Sequence, residues 1–168
     1  MYEKAGIISK TEKEAYSNTF LVRKHIGEGQ RQMDDTTFAK QWRLILDLSS
    51  MNGNISDYAT EPQTITSILE EYKPHKLQTS IDSLRAFHQV NLSQRSKDIL
   101  GFSGAGLNWI HDKLPKGGVN SVNVLQSILN MVFKDMGGDG KSFMVYIDDI
   151  IITSQTPEEM EARLRQFF

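Results

Sequence analysis

The sequence contains no cysteine among its 168 residues, so disulfide bonds and thiolate metal ligands are excluded. Its four histidines are widely separated and lack the spacing of a zinc motif. No apolar stretch approaches the ~20 residues that span a membrane, and the N-terminal residues MYEKAGIISK lack the apolar segment of a signal peptide. We therefore expect no membrane association.

An excess of charge is also absent, because 19 Lys and Arg residues face 21 Asp and Glu residues and the net charge is -2. Bulk charge thus gives no general attraction for nucleic acid, and such a partner would have to be bound by a local surface and by metal. The apolar content of 39% and the charged content of 24% are typical of a globular protein. A chain of this length is most simply one domain with a substantial core.

Apolar segments of two kinds follow one another along the chain. Thr19–Ile26 and Trp42–Ser49 are rich in β-branched and large apolar residues and predict two strands, and Leu77–Asp82 predicts another. The helical spacing of apolar residues predicts helices over Gln63–Tyr72 and Val122–Phe133. This mixture has no regular strand–helix alternation and no internal repeat, so it favours an α+β fold over a doubly wound sheet.

The C-terminal residues contain a helix start signal. Thr156, Pro157 and Glu159 occupy the N-cap, first and third positions of the predicted helix. Four apolar residues are expected to form its buried face: Met160, Leu164, Phe167 and Phe168.

The segment FMVYIDDIIITS, Phe143–Ser154, contains two adjacent carboxylates in an otherwise apolar run. One interpretation is a hairpin with strands Phe143–Ile147 and Ile150–Thr153, whose turn of Asp148 and Asp149 directs both acids into solvent. The alternative is a cation site, because Mg²⁺ prefers carboxylate oxygens and a turn can bring both acids to one place. The spacing alone leaves both interpretations open.

Four segments, in this order, resemble the fingers and palm of a reverse transcriptase, most like those of Ty3/gypsy-type retrotransposons and retroviruses. They are FLVRK with WRLILDLSSMN, SIDSLRAFHQV, LPKGGVNSVNVLQ and YIDDIIITS. The resemblance covers nearly the whole chain and implies a right-hand polymerase with fingers at 1–73, a palm at 74–168 and no thumb. The palm sheet should be antiparallel and packed on helices. The implied activity is RNA-directed DNA polymerisation by a retroelement, adding deoxynucleotides to a primer 3′-hydroxyl on RNA or DNA.

The resemblance also implies a metal site. The family's catalytic acids match Asp82, Asp148 and Asp149, which would hold two Mg²⁺ ions together with Ser83, and Mn²⁺ is an expected substitute. Two ions ~3.5–4 Å apart stabilise both the attacking and the leaving oxygen of the transfer. Without the motif, Asp82 would be interpreted as a cap at the end of a strand.

A nucleotide site is implied in the same way. Phe87 follows Asp82 by five residues, where the family has a ring that excludes a 2′-hydroxyl; alone, it would be interpreted as a core aromatic. Lys24 and Arg43 match basic residues that contact the triphosphate; alone, they would be solvated hairpin charges. Further nucleotide contacts are implied for Arg85, Ala86, Lys116 and Gly117, and template or primer contacts for Tyr146, Ile147 and Gln126.

The expected partners are an RNA or DNA template-primer, deoxynucleotides, and the rest of a Pol polyprotein (thumb and RNase H) or a second subunit. The expected location is a cytoplasmic particle or the nucleus. Val122 and Leu125 depart from the family's usual Pro and Phe, Lys116 from the usual Gln or apolar residue, and the loop Gly27–Gln41 is longer than most. Because all the acids and Phe87 are present, these departures indicate divergence and not loss of the site. The expected absence of the thumb favours an alternative function, a domesticated or decayed reverse-transcriptase-like module that binds or has a structural role without catalysis.

Overall fold

The computed structural model describes residues 2–23, 42–56, 66, 70, 76–135 and 142–168. The chain divides into two compact units, each built from two separate segments. The first unit comprises Met1–Ser56 and His88–Val119, and the second comprises Asp57–Phe87 and Asn120–Phe168. The division into fingers at 1–73 and palm at 74–168 stays a prediction.

Strands and helices are mixed along the chain, which confirms the predicted α+β fold. The strands are β1 (Ile8–Thr11), β2 (Ser17–Arg23), β3 (Trp42–Asp47), β4 (Leu77–Asp82), β5 (Gly101–Gly104), β6 (Leu107–His111), β7 (Phe143–Tyr146) and β8 (Asp149–Ser154). The helices of the described residues are α1 (Ser49–Asn52), α2 (Ala86–Gln89), α3 (Gln94–Ile99), α4 (Ser121–Asp135) and α5 (Pro157–Phe167). No helix of these described ranges is long and apolar enough to cross a membrane.

The first unit contains a five-stranded sheet with the order β1-β6-β5-β2-β3. Its strands pair antiparallel except for β2 and β5, which are parallel. The strands predicted at Thr19–Ile26 and Trp42–Ser49 are present as the antiparallel pair β2 and β3. The predicted end at Ser49 is wrong, because the Asp47 side chain accepts a hydrogen bond from the Ser49 N–H, where α1 begins. Residues 24–26 lie outside the described residues. Buried Ile7, Ile8 and Phe102 form one apolar cluster of this unit.

The second unit contains a three-stranded antiparallel sheet with the order β4-β8-β7. Residues of β4 alternate between half-buried and exposed, so one face of the strand packs inward and Asp82 lies on the other. Six buried residues form the core between this sheet and the helices α4 and α5: Phe133, Phe143, Val145, Ile150, Ile152 and Met160. The predicted antiparallel sheet packed on helices is therefore present here.

Helix α5 begins as the sequence predicts. The Thr156 hydroxyl accepts a hydrogen bond from the backbone N–H of Glu159 at 3.2 Å, and Pro157 opens the first turn. Met160 is buried, but Phe168 is 90% exposed, so its predicted place on the buried face is wrong. The reason is that Phe168 lies beyond the last helical residue and makes an edge contact with the ring of Phe167.

Of the other two predicted helices, one is confirmed and one lies mostly outside the described residues. The helix predicted over Val122–Phe133 is confirmed as α4, which is one residue longer at its start and two at its end. The predicted helix Gln63–Tyr72 lies outside the described residues except for Thr66 and Glu70, which are both helical.

Candidate active site

Two of the predicted metal ligands face each other across the second unit's sheet. Asp82 is the last residue of β4 and Asp149 the first of β8, and their Cα atoms are register partners. Partners in an antiparallel pair project from the same face, with Cβ atoms typically ~4.5–5.5 Å apart. Tyr146 on β7 is the partner of Asp149 on its other side. One end of the sheet therefore presents a row of Asp82, Asp149 and Tyr146 on one face.

Asp148 lies in the turn that joins β7 to β8. The turn consists of Ile147 and Asp148, one residue earlier than the predicted Asp148–Asp149 turn. The reason is that Tyr146 pairs with Asp149, and that the N–H of Ile147 donates to a side chain and not to β8. The backbone N–H of Ser83 donates to the carbonyl of Asp148 at 2.9 Å. This bond ties the residue that follows β4 to the turn.

The turn contains a backbone conformation that its residue type disfavours. Ile147 has a φ of 59°, whereas Asp148 is not among the described residues with positive φ. This sign pattern is that of a type II′ turn, whose first central position is normally glycine. A β-branched residue in the left-handed region is uncommon and costs roughly 1–3 kcal/mol. The turn is therefore held in place by its surroundings.

The three acids are more exposed than their position in an apolar run of the sequence indicates. Asp82 and Asp149 are exposed and Asp148 is half-buried, so the acids lie at the sheet's end and not in its apolar interior. Repulsion between Asp82 and Asp149, which pair directly across β4 and β8, is unfavourable to the sheet. Carboxylate oxygens of this kind fit Mg²⁺ or Mn²⁺. In the described part of the chain, however, no three or more His, Cys, Asp or Glu side chains already converge as a metal-binding group.

The residues after Asp82 occupy the start of α2. Arg85 is exposed and has a positive φ of 54°. Ala86 and Phe87 are both 5% exposed, so the predicted sugar-selecting ring is well buried. That burial is compatible with the core interpretation and with a ring whose edge closes a pocket, and the role of Phe87 stays a prediction.

Gln126, predicted to contact template or primer, is bonded to the β7–β8 hairpin. Its Nε2 donates to the backbone carbonyl of Val145 at 2.8 Å, and its Oε1 accepts from the backbone N–H of Ile147 at 2.9 Å. The same Nε2 donates to Asn130 Oδ1 at 3.0 Å. The sequence motif locates Gln126 but does not reveal these bonds.

The other predicted nucleotide contacts that the structure describes belong to the first unit. Arg43 is an exposed residue of β3, and Lys116 is exposed in a turn with Gly117, whose φ is 95°. Lys24 lies outside the described residues. Asn52, to which the sequence gives no role, donates from Nδ2 to the carbonyl of Gly117 and accepts at Oδ1 from the N–H of Val119, both at 3.0 Å. Asn52 therefore clamps the LPKGG turn.

The fold and this arrangement of acids define the class of protein. The family model described as "Reverse transcriptase (RNA-dependent DNA polymerase)" matches residues 31–168. The chain belongs to the reverse transcriptase family.

Its relatives are parts of much longer proteins. The chain is 26% identical over 129 residues to a retrovirus-related Pol polyprotein from transposon 412 of Drosophila melanogaster, covering 77% of this chain and 10% of the relative. It is 27% identical over 117 residues to the corresponding polyprotein from transposon gypsy of the same organism, covering 70% of this chain and 11% of the relative. The chain thus spans about a tenth of these relatives.

The fold has solved counterparts. The prototype foamy virus protease-reverse transcriptase shares it with a TM-score of 0.79 and 22% identity over 99% of this chain and 20% of that one. A foamy viral protease-reverse transcriptase in complex with an RNA/DNA hybrid matches with a TM-score of 0.76, also at 22% identity, covering 99% of this chain and 20% of that one. The right-hand polymerase fold predicted from the sequence is thereby confirmed.

Proposed function

We propose that this chain is the catalytic region of an RNA-directed DNA polymerase, part of a retroelement Pol polyprotein, which adds deoxynucleotides to a primer 3′-hydroxyl. The observation that carries the proposal is the Asp82–Asp149 pair on one face of the sheet, with Asp148 in the adjoining turn. Like charges directly opposite each other destabilise a sheet. Their retention at the end of a well-packed sheet, in a member of this family, favours a binding role over a structural one.

In this proposal Asp82, Asp148 and Asp149 hold two Mg²⁺ ions, and Mn²⁺ can replace them. When bound, the ions supply the charge that stabilises the attacking and leaving oxygens of the transfer. The chain's own contribution is to fix the acids: the β4–β8 register sets two of them, and the Ser83 N–H holds the backbone of the third. Ser83 is the further ligand that we expect.

The remaining residues are proposed to bind the substrates. Lys24, Arg43, Arg85 and Lys116 provide cations for the triphosphate, and such preorganised charges stabilise charge that develops during the transfer. Ala86, Phe87 and Gly117 are further proposed nucleotide contacts, with Phe87 as the residue that excludes a 2′-hydroxyl, and Tyr146 and Ile147 are proposed to contact the primer or template. The complex of a foamy viral relative with an RNA/DNA hybrid supports a template-primer as the partner.

The test is deoxynucleotide incorporation on a primed RNA template with Mg²⁺ or Mn²⁺, by this chain and by a longer polypeptide that contains it. Asp148→Asn should abolish incorporation and leave template-primer binding nearly unchanged, because it removes a metal ligand and no phosphate contact. Asp98→Asn is the matched control, since Asp98 is an acid of α3 in the first unit paired with Lys13. Template-primer binding without incorporation by the wild-type polypeptide would favour the non-catalytic alternative.

A further inference from the structure

Both ends of the Gln126 side-chain amide are bonded to one short stretch of backbone. Its two bonds to the hairpin reach Val145, at the end of β7, and Ile147, at the first turn position. A backbone N–H requires an oxygen acceptor and a carbonyl requires a donor, so these partners fix which end of the amide is which. Both ends of the amide are therefore committed to the hairpin.

The bond to Ile147 satisfies a backbone donor that the β7–β8 hairpin does not pair. The Ile147 N–H is not part of the β7–β8 ladder, because Tyr146 and Asp149 form its last pair. The same residue has the positive φ of 59°. Because the Gln126 side chain accepts from this N–H, Ile147 can keep its left-handed conformation without leaving a backbone donor unbonded.

We propose that Gln126 is a positioning residue of the active site, which holds the hairpin turn so that Asp148 and Asp149 keep a fixed relative placement. The turn is then fastened from two sides, by Gln126 on Ile147 and by the Ser83 N–H on Asp148. The catalytic consequence rests on the proposed function, whereas the fastening of the turn does not. We assign the amide to the hairpin and not to the template.

The first experiment measures amide hydrogen exchange in the ¹⁵N-labelled chain. Gln126→Met keeps the side-chain length and removes both bonds, so the protection of the Ile147 amide should fall roughly three- to tenfold, the value of one hydrogen bond. Asn130→Ala is the matched control, because it removes only the third partner of the same amide, and Ile147 should keep its wild-type protection. Unchanged Ile147 exchange in Gln126→Met would overturn the proposal.

A conservative variant keeps the test informative if Gln126→Met fails to fold. Gln126→Glu keeps an oxygen acceptor for the Ile147 N–H but loses the donor to Val145. Ile147 protection should therefore stay within about twofold of wild type, while a loss of roughly three- to tenfold would contradict the assigned bond.

The second experiment separates positioning from template binding. In primer extension by a longer polypeptide that contains this chain, Gln126→Met should lower kcat by roughly tenfold or more with little change in KM for template-primer. A raised KM for template-primer with unchanged kcat would assign Gln126 to the template instead. If the wild-type polypeptide incorporates no nucleotide, the proposed function fails, but the exchange measurement still decides whether Gln126 holds the turn.

Discussion

Replacing Asp149 with Asn should stabilise the metal-free chain and at the same time remove its response to divalent cations. Asp149 and Asp82 are directly opposite each other across β8 and β4. Because both are exposed, water screens their repulsion, and a cross-strand charge pair is worth only ~0.2–1 kcal/mol. Asn keeps nearly the same shape without the charge, so the free energy of unfolding should rise by about that amount.

With a divalent cation bound, Asp149→Asn should lower the free energy of unfolding instead of raising it. A cation that binds only the folded state adds RT ln(1 + [L]/Kd), which is ~2.7 kcal/mol at a concentration 100 times Kd. Asp149→Asn removes one charged ligand and should lose most of this gain. The variant is therefore expected to be more stable than wild type in EDTA and less stable at saturating Mn²⁺.

Thermal unfolding in EDTA and in Mn²⁺, followed by circular dichroism, measures both effects. For a chain of this length ~1 kcal/mol moves Tm by ~2–4 °C. Added NaCl should shrink the metal-free difference, because the screening length falls from ~10 Å at 0.1 M salt to ~3 Å at 1 M. Asp98→Asn, the control, should keep the full Mn²⁺ response. A variant less stable than wild type in EDTA, or one with an intact Mn²⁺ shift, would refute the reasoning.

Three further changes test other parts of the chain. Burial and the nearby charge of His88 lower the pKa of His111 to about 4, below its usual 6.5. The free energy of unfolding should therefore fall as pH drops from 6.5 towards 4, and in denaturant unfolding His111→Gln should show a shallower fall than wild type. Gly117→Ala should destabilise by ~1 kcal/mol through its φ of 95° although nothing lies near its Cβ, whereas Gly53→Ala, at a φ of -66°, should not. Phe87→Val should raise ribonucleotide use in primer extension, and unchanged sugar discrimination would assign the gate to another residue.

Local patterns in the sequence predict the second unit well. The apolar spacing of α4 and the cap of α5 depend on neighbours three or four residues away, so the sequence displays them directly. The strand β4 alternates between half-buried and exposed residues as its sequence LQTSID indicates. The sequence predicts the turn of the hairpin one residue too late. The choice between Asp148–Asp149 and Ile147–Asp148 depends on the acceptor of the Ile147 N–H, which lies on another element.

The first unit is harder to predict because its remaining strands are short and pair over long distances. β1 and β5 have only four residues each, ISKT and GFSG, and two of the four residues of β5 are glycine, which is depleted in strands. They are strands because β6 pairs with both of them. The parallel pairing of β2 with β5 joins segments some eighty residues apart, from Ser17 to Phe102. Periodicity within a short window contains no information about such partners.

The candidate site likewise contains residues that the sequence locates and contacts that it does not reveal. The motifs located Asp82, Asp148 and Asp149, but neither amide that fastens a turn was recognised from the sequence. Asn52 reaches Gly117 across 65 residues, and Gln126 reaches Ile147 across 21. A polar residue on a helix is most often solvated, and only tertiary structure shows which one replaces a missing backbone partner.

The end of the second unit's sheet combines two features that each lower stability, a like-charge pair and a β-branched residue at positive φ. Neither is needed to close a two-residue hairpin, because glycine at Ile147 and a neutral residue at Asp149 would do so at lower cost. The stability that permits them comes from nearby residues: Ile152 on β8 is completely buried, and Gln126 supplies the bond that the ladder does not. Local preference is thus violated where the proposed chemistry needs fixed charges, and it is obeyed three residues further along β8, at Ile152. If this reasoning holds, Ile147→Gly should relieve the backbone strain and stabilise the hairpin without affecting the acids, whereas a loss of stability would mean that the isoleucine side chain contributes packing that outweighs its strain.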